Sequence, residues 1–226
     1  MSVFIYPSSG AAGAVSLGRL ALTDLGTATY TTNGAKSLGG LSFTLDGVDG
    51  TNTFDVGATG AAAVGGTTQQ VIMTFDPATH FGFTMTVGKV VGCTIEYDDG
   101  TITGSDNIGF YVGDDSLNRV GMQRNVTNIV RVGAMFSGAF KTNQDSSVAN
   151  AVDVVAMGFV LAGQVLSGWY DTTPPGSAQP TTYANKVKSN GELGSVTFFD
   201  LTYCRVSWVG ARGKRVEAIE FWDYTP

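Results

Sequence analysis

The sequence predicts an all-β fold, an antiparallel β-prism or jelly-roll-like β-sandwich carrying a small-residue-rich N-terminal arm. Three observations predict it. Apolar residues recur with period two rather than 3.6; Thr, Val, Ile, Phe and Tyr gather into short runs separated by Gly, Asn and Asp; and turn-forming dipeptides such as Asp99-Gly100 stand between runs. Such alternation gives each strand one apolar face, which needs a shared interior.

In chain order, residues 1–64 are rich in Ala, Gly and Thr. The stretch "GAKSLGGLSFTLDGVDGTNTFDVGATGAAAVGG" has few large side chains outside Leu41 to Leu45 and Phe54. This part is expected to be an arm, or a strand pair, that docks on a partner, with "TGAAAVGGTT" as a loop or linker and a boundary at residues 64/65. Residues 65–226 are expected to form one β domain. Its strand-like runs are Gln70 to Phe75, Phe81 to Val87, Val91 to Tyr97, Ile108 to Val112, Ile129 to Phe136, Val152 to Leu161, Val196 to Val209 and Val216 to Tyr224. The prolines of "TTPPGSAQPTTY" exclude a central strand there. The last two runs, joined by the Gly-bracketed basic stretch "GARGKR", are read as a terminal hairpin.

Composition limits the function. With 226 residues and 43% apolar content the chain can bury a good core. Only 14% of residues are charged and the net charge is -6, which argues against phosphate-backbone binding and so against nucleic-acid partners. Cys93 and Cys204 lie among strand-like apolar residues, where free buried thiols are favoured over a bridge. The N-terminal stretch has no basic region and carries Pro7, so no secretory signal is expected, and localisation is left between a virion and the cytoplasm. The most apolar run, Val154 to Gly163, is too short to cross a bilayer, so membrane insertion is not expected.

Catalytic chemistry has little support. His80, the one histidine, sits in "FDPATHFGF" without a nucleophile motif, and reads as a turn residue. Asp98-Asp99 and Asp114-Asp115 are adjacent pairs that read as turn formers rather than as acids on opposite sides of a sugar. Asp46, Asp49, Asn52 and Asp55 offer oxygen donors, but their spacing departs from the EF-hand loop and lacks its terminal glutamate; no metal or other cofactor is assigned. The sequon at Asn125 needs a secretory route that the N-terminus does not suggest.

The C-terminal "RVSWVGARGKRVEAIEFWDY" resembles the last hairpin of jacalin-related lectins, a strand, a glycine-bearing turn and an apolar strand that opens with an acid. "FTMTVGKVVGCTIEYDDGTITG" is similar to that family's early strands, and "TNIVRVGAMFSG" to a middle one, so the resemblance spans about residues 65–226. It implies a β-prism and a non-enzymatic sugar site. Gly213, Lys214, Arg215 and Glu217 would offer backbone amides and a carboxylate to sugar hydroxyls, with Gly65 and Gly66 as the partner glycines near the domain start. Glu217 stands where the family carries aspartate. The expected function is therefore a lectin-like, carbohydrate-binding module carried on a virion or other surface assembly. Glycans and self-association or a larger protein assembly are the expected partners, and homo-oligomers are expected. The alternative from composition is a purely structural virion protein, a capsid decoration, fibre or tail component.

Overall fold

A computed structural model describes residues 15–65, 70–83, 90–97, 107–124, 130–136, 138–145, 156–162, 165–171, 185–187, 202–209 and 215–223. The first strands are β1 (Val15–Ala21), β2 (Ala28–Tyr30), β3 (Gly34–Leu38), β4 (Leu41–Asp46), β5 (Thr53–Gly57), β6 (Gly60–Val64) and β7 (Gln70–Phe75). They are followed by β8 (Val90–Tyr97), β9 (Asn107–Gly113), β10 (Arg119–Arg124), β11 (Val130–Phe136) and β12 (Ala139–Asp145). The last are β13 (Ala156–Ala162), β14 (Val165–Asp171), β15 (Asn185–Val187), β16 (Tyr203–Val209) and β17 (Val216–Asp223). A short helix, α1 (Pro77–Phe81), follows β7. It is capped by Asp76, which accepts from Thr79 N at 2.9 Å, has proline at its start, and ends at Gly82 with φ +71°.

These strands make two sheets. One runs β15-β14-β13-β8-β17-β6-β5-β2, with β1 also on β17; the other runs β12-β11-β10-β9-β16-β7-β4-β3. Every pairing among the described strands is antiparallel. The all-β expectation holds in its sandwich form. The β-prism does not, and the resemblance to jacalin-related lectins fails with it, because the described strands form two layers rather than three.

The physical reason lies in the last two strands. Expected to pair as a hairpin, β16 and β17 instead lie in opposite sheets, β16 between β7 and β9 and β17 between β8 and the β1/β6 edge. Each supplies inward residues to the same interior. Cys204, Val206 and Trp208 come from β16, and Ile219 and Phe221 from β17. Alternation alone cannot tell a hairpin from such a crossing, since both give the same one-sided pattern.

The interior joins both sheets. Leu41, Phe43 and Leu45 point inward from β4 while Ser42, Thr44 and Asp46 point out. Val71, Met73 and Phe75 do the same on β7. Facing them, Phe54 of β5 packs edge-on against Trp208 at 5.3 Å between centroids. Each such large apolar side chain, fully buried, contributes about 1.5–3 kcal/mol. Cys93 and Cys204 are free and buried here, and burial pushes both thiols up, so neither is a ready nucleophile.

Residues 15–64, expected as an arm, supply β1 to β6, and strands on both sides of the 64/65 boundary share both sheets and the core. The stretch expected to be a loop contains β6. Its small residues are what let it form there. Ala61 and Ala62 are buried, and a Cβ on Gly60, whose φ is +96°, would collide with the Val216 carbonyl oxygen. Among the described residues no helix is long and apolar enough to cross a membrane.

Removing residues 1–64 should therefore abolish cooperative folding, since Leu20, Leu22, Leu41, Phe43, Leu45 and Phe54 leave the core together. Thermal denaturation followed by circular dichroism checks this; a cooperative melt in the truncated chain would support residues 1–64 as a separate arm.

Candidate functional site

The residues first expected to bind are partly separated. Gly213, Lys214 and Gly66 lie outside the described residues. Arg215 donates from Nη1 to the Gly60 carbonyl at 3.1 Å, so its guanidinium holds the turn that opens β6. Glu217 is half-buried at a register shift between Val216 and Ala218, the bulge of β17. Gly65 follows the far end of β6, four residues from Ala61, the partner of Val216. At about 3.3 Å per residue that separates it by about 13 Å from the Arg215–Glu217 end. There Gly65 is in close contact with Thr51 and Asn52.

The remaining candidates have structural duties. Trp208 and Trp222 are buried and offer no stacking platform. His80 packs its ring edge-on against Phe81 at 4.7 Å. Asp49 accepts from the backbone of Thr51 and Asn52, and those hydrogen bonds hold its carboxyl below the usual carboxylate range. Asp115 accepts from Leu117 N and Asn118 N at 2.7 and 2.8 Å, as a turn former does. Asp98, Asp99 and Asn125 lie outside the described residues. Among those described, no three His, Cys, Asp or Glu side chains converge on a metal site.

A different surface gathers polar groups, the outer face of the eight-stranded sheet. Register sets Thr44 opposite Thr74, Thr74 opposite Arg205, Arg205 opposite Tyr111, Tyr111 opposite Gly121 and Gly121 opposite Gly133. Glycines are required around the tyrosine. A Cβ on Gly121 would lie 2.7 Å from Tyr111 Cδ1 and one on Gly109 3.1 Å from Cε2, so the ring lies along the sheet where side chains are missing. Tyr111 donates to Gln123 Oε1 at 3.0 Å, and the Arg119 guanidinium lies 5.1 Å from its ring centroid. Burial, and then the neighbouring Arg119, pull the Arg205 guanidinium below its ordinary range, offset in part by Tyr203.

Towards the β3 edge the same face opens into a groove of about 390 Å³, lined by Lys36, Ser42, Thr44, Thr74, Asp76 and Tyr203 among others. Lys36 is held by the Thr32 hydroxyl and the Asn33 carbonyl, both at 3.2 Å, and Asp76 by Thr79. Ser42 and Thr44 stand exposed between them.

The sequence reading missed this surface. It recognised Ile108 to Val112 as a strand by its inward residues and passed over Arg119–Arg124. The signal was the outward set, since Gly109, Tyr111, Gly113, then Arg119, Gly121 and Gln123 alternate glycine with large polar groups.

The opposite sheet holds a second unforeseen cluster. Arg19 of β1 grips Glu96 of β8 with two hydrogen bonds, at 2.9 and 2.7 Å, and reaches Glu220 of β17 at 3.1 Å. Ser16 donates to Glu220 at 2.8 Å. Both glutamates are buried. Burial raises the Glu220 carboxyl, against the lowering effect of Ser16 and Arg19.

No family model matches this chain, and no curated protein does. Among solved structures it is similar in fold to the VIP36 exoplasmic/lumenal domain in its Ca2+/Man3GlcNAc-bound form. There the TM-score is 0.52 at 7% identity, covering 81% of this chain and 84% of that one. Xenopus laevis galectin-Ib aligns at 10% identity over 66% of this chain and 98% of its own, with a TM-score of 0.41. Chicken galectin 2 aligns at 8% identity over 66% and 96%, also at 0.41. The chain is thus a two-sheet antiparallel β-sandwich whose architecture resembles that of the VIP36 domain.

Two outcomes follow from the Arg19 cluster. Arg19→Met leaves two buried carboxylates without their cation and should cost about 3 kcal/mol in urea denaturation at pH 7. With its folded pKa raised above 4.5, Glu220 contributes stability that is fully present below that value and lost as pH rises through the folded pKa. Glu220→Gln should therefore gain on the natural chain between pH 4 and pH 7; an unchanged difference between the two curves would exclude the linkage.

Proposed function

We propose that the chain is a non-enzymatic carbohydrate-binding module whose sugar lies on the outer face of the eight-stranded sheet, in the groove between β3 and β16. The groove carries this reading. Its Ser42, Thr44, Thr74 and Tyr203 present hydroxyls that both donate and accept, which suits a ligand of adjacent hydroxyls, and Lys36 and Asp76 add one charge of each sign. Its volume of about 390 Å³ is on the scale of small-ligand sites. The likeness to VIP36 supports a sugar on this architecture, since that domain was solved with Man3GlcNAc bound. Calcium is not carried over, because the described acidic residues do not converge on a metal site.

The turn at Gly213, Lys214, Arg215 and Glu217 is a second place for the sugar within the same function. The bulge favours it, since bulges re-aim side chains, here that of Glu217. Gly65 and Gly66 do not join it in this reading, given the distance of Gly65 along β6.

A glycan array with the full chain, followed by calorimetry on its hits, tests the proposal. Thr74→Val should weaken binding about threefold to tenfold through loss of one hydrogen bond, and Tyr203→Ala by more. Glu217→Ala should leave affinity unchanged if the groove is the site and abolish it if the turn is. Failure to bind any glycan would overturn the function itself.

A further inference from the structure

Arg119 and Arg205 flank Tyr111 on the face that continues the groove. Register puts Arg205 opposite Tyr111 and Arg119 opposite Gly113, two residues along and two strands across. Strand spacing then sets their Cα atoms about 12 Å apart, close enough for the long side chains to converge. Both Nε atoms are buried without a hydrogen-bond partner among the described residues, and Arg119 is only 8% exposed. A guanidinium cannot shed its charge, so such burial is costly unless an anion compensates it.

The contrast within the molecule is direct. Arg19, more exposed than Arg119, is matched by two carboxylates. Arg119 and Arg205 have no salt-bridging carboxylate among the described residues, and their attractive neighbours are the Tyr111 ring for the first and Tyr203 for the second. Tyr203 joins the two features, since it lines the groove and stands opposite Gly113, level with Arg119.

We propose that the ligand is an acidic sugar, its carboxylate or sulfate held by Arg205 and Arg119 at the Tyr203 end of the groove. This rests on the carbohydrate reading and narrows it. The two guanidiniums offer forked donors that match a planar carboxylate or a sulfate ester, and the tyrosine between them supports the sugar ring.

Calorimetry on the full chain with 3′-sialyllactose and a sulfated lactose, against lactose and mannotriose, tests it and separates the two anions. Acidic sugars should bind at least tenfold more tightly than the neutral ones, and the advantage should shrink as salt rises. Arg205→Gln and Arg119→Gln should each remove it. Should Arg119→Gln fail to fold, inorganic sulfate must still displace the acidic sugar from the natural chain better than chloride at equal ionic strength. Equal affinity for neutral and acidic sugars, unaffected by Arg205→Gln, overturns the acidic ligand and leaves the carbohydrate reading standing. Binding of sulfate or single-stranded DNA with no sugar of either kind overturns both.

Discussion

The placement of β16 and β17 as central strands of opposite sheets is the constraint on which the rest depends. β16 is hydrogen-bonded along its length to β7 and β9, and β17 to β8 and β1. Neither sheet is continuous without the C-terminal end of the chain. Sheets built this way require contacts of large sequence separation before local pairs are held, which makes folding slow compared with hairpin-by-hairpin assembly. Of the early strands, β7 gains its second neighbour only with β16 and β6 only with β17.

This arrangement also explains the difference between the sheets' outer faces. On the nine-stranded sheet, β17 is buried on both sides; Glu220 and Trp222 point away from the interior that holds Ile219 and Phe221, yet are only 2% and 3% exposed. A carboxylate so placed needs a cation, and β1 supplies Arg19 from the adjoining strand. The pair is therefore a condition for β17 to be central, more than an ornament of the surface. On the eight-stranded sheet the outward residues of β16 are Tyr203, Arg205 and Ser207, and the groove opens beside them.

Much of the fold was legible, and the reasons for the rest are specific. β7, β9, β11 and β17 were visible because bulky residues alternate in them, and Gln70–Phe75 coincides with its expected run. β6 was not, because "GAAAV" has no bulky residue to mark a strand; its place beside β17 depends on the absence of side chains that a pattern search looks for. The hairpin reading of the C-terminus failed because sheet membership is decided by partners far away in sequence, which the turn residues do not encode. For the site, Arg215 and Glu217 follow from a local resemblance within one turn, whereas Arg119, Arg205 and Tyr111 come together only across strands up to 94 residues apart, Tyr111 to Arg205. No local motif records such a juxtaposition.

Glycine has opposite roles in the two layers, and together these locate the polar surface. At Gly60 it lets two backbones approach, so that β6 reaches β17 and closes the nine-stranded sheet. At Gly109 and Gly121 it makes space on the other sheet for the ring of Tyr111, and at Gly113 for the backbone of Asn118 and Arg119, beside two arginines that have no salt-bridging acid among the described residues. A strand interior loses stability with each glycine, roughly 0.5–1 kcal/mol against alanine. Three glycines at outward positions on two adjacent strands therefore carry that entropic cost, and none can take a Cβ without a shift of Tyr111 or of neighbouring backbone. Burial of Arg119 beside them adds to the same side. These costs fall on the strip where the acidic ligand is proposed to bind, while the other sheet neutralises its arginine with Glu96 and Glu220.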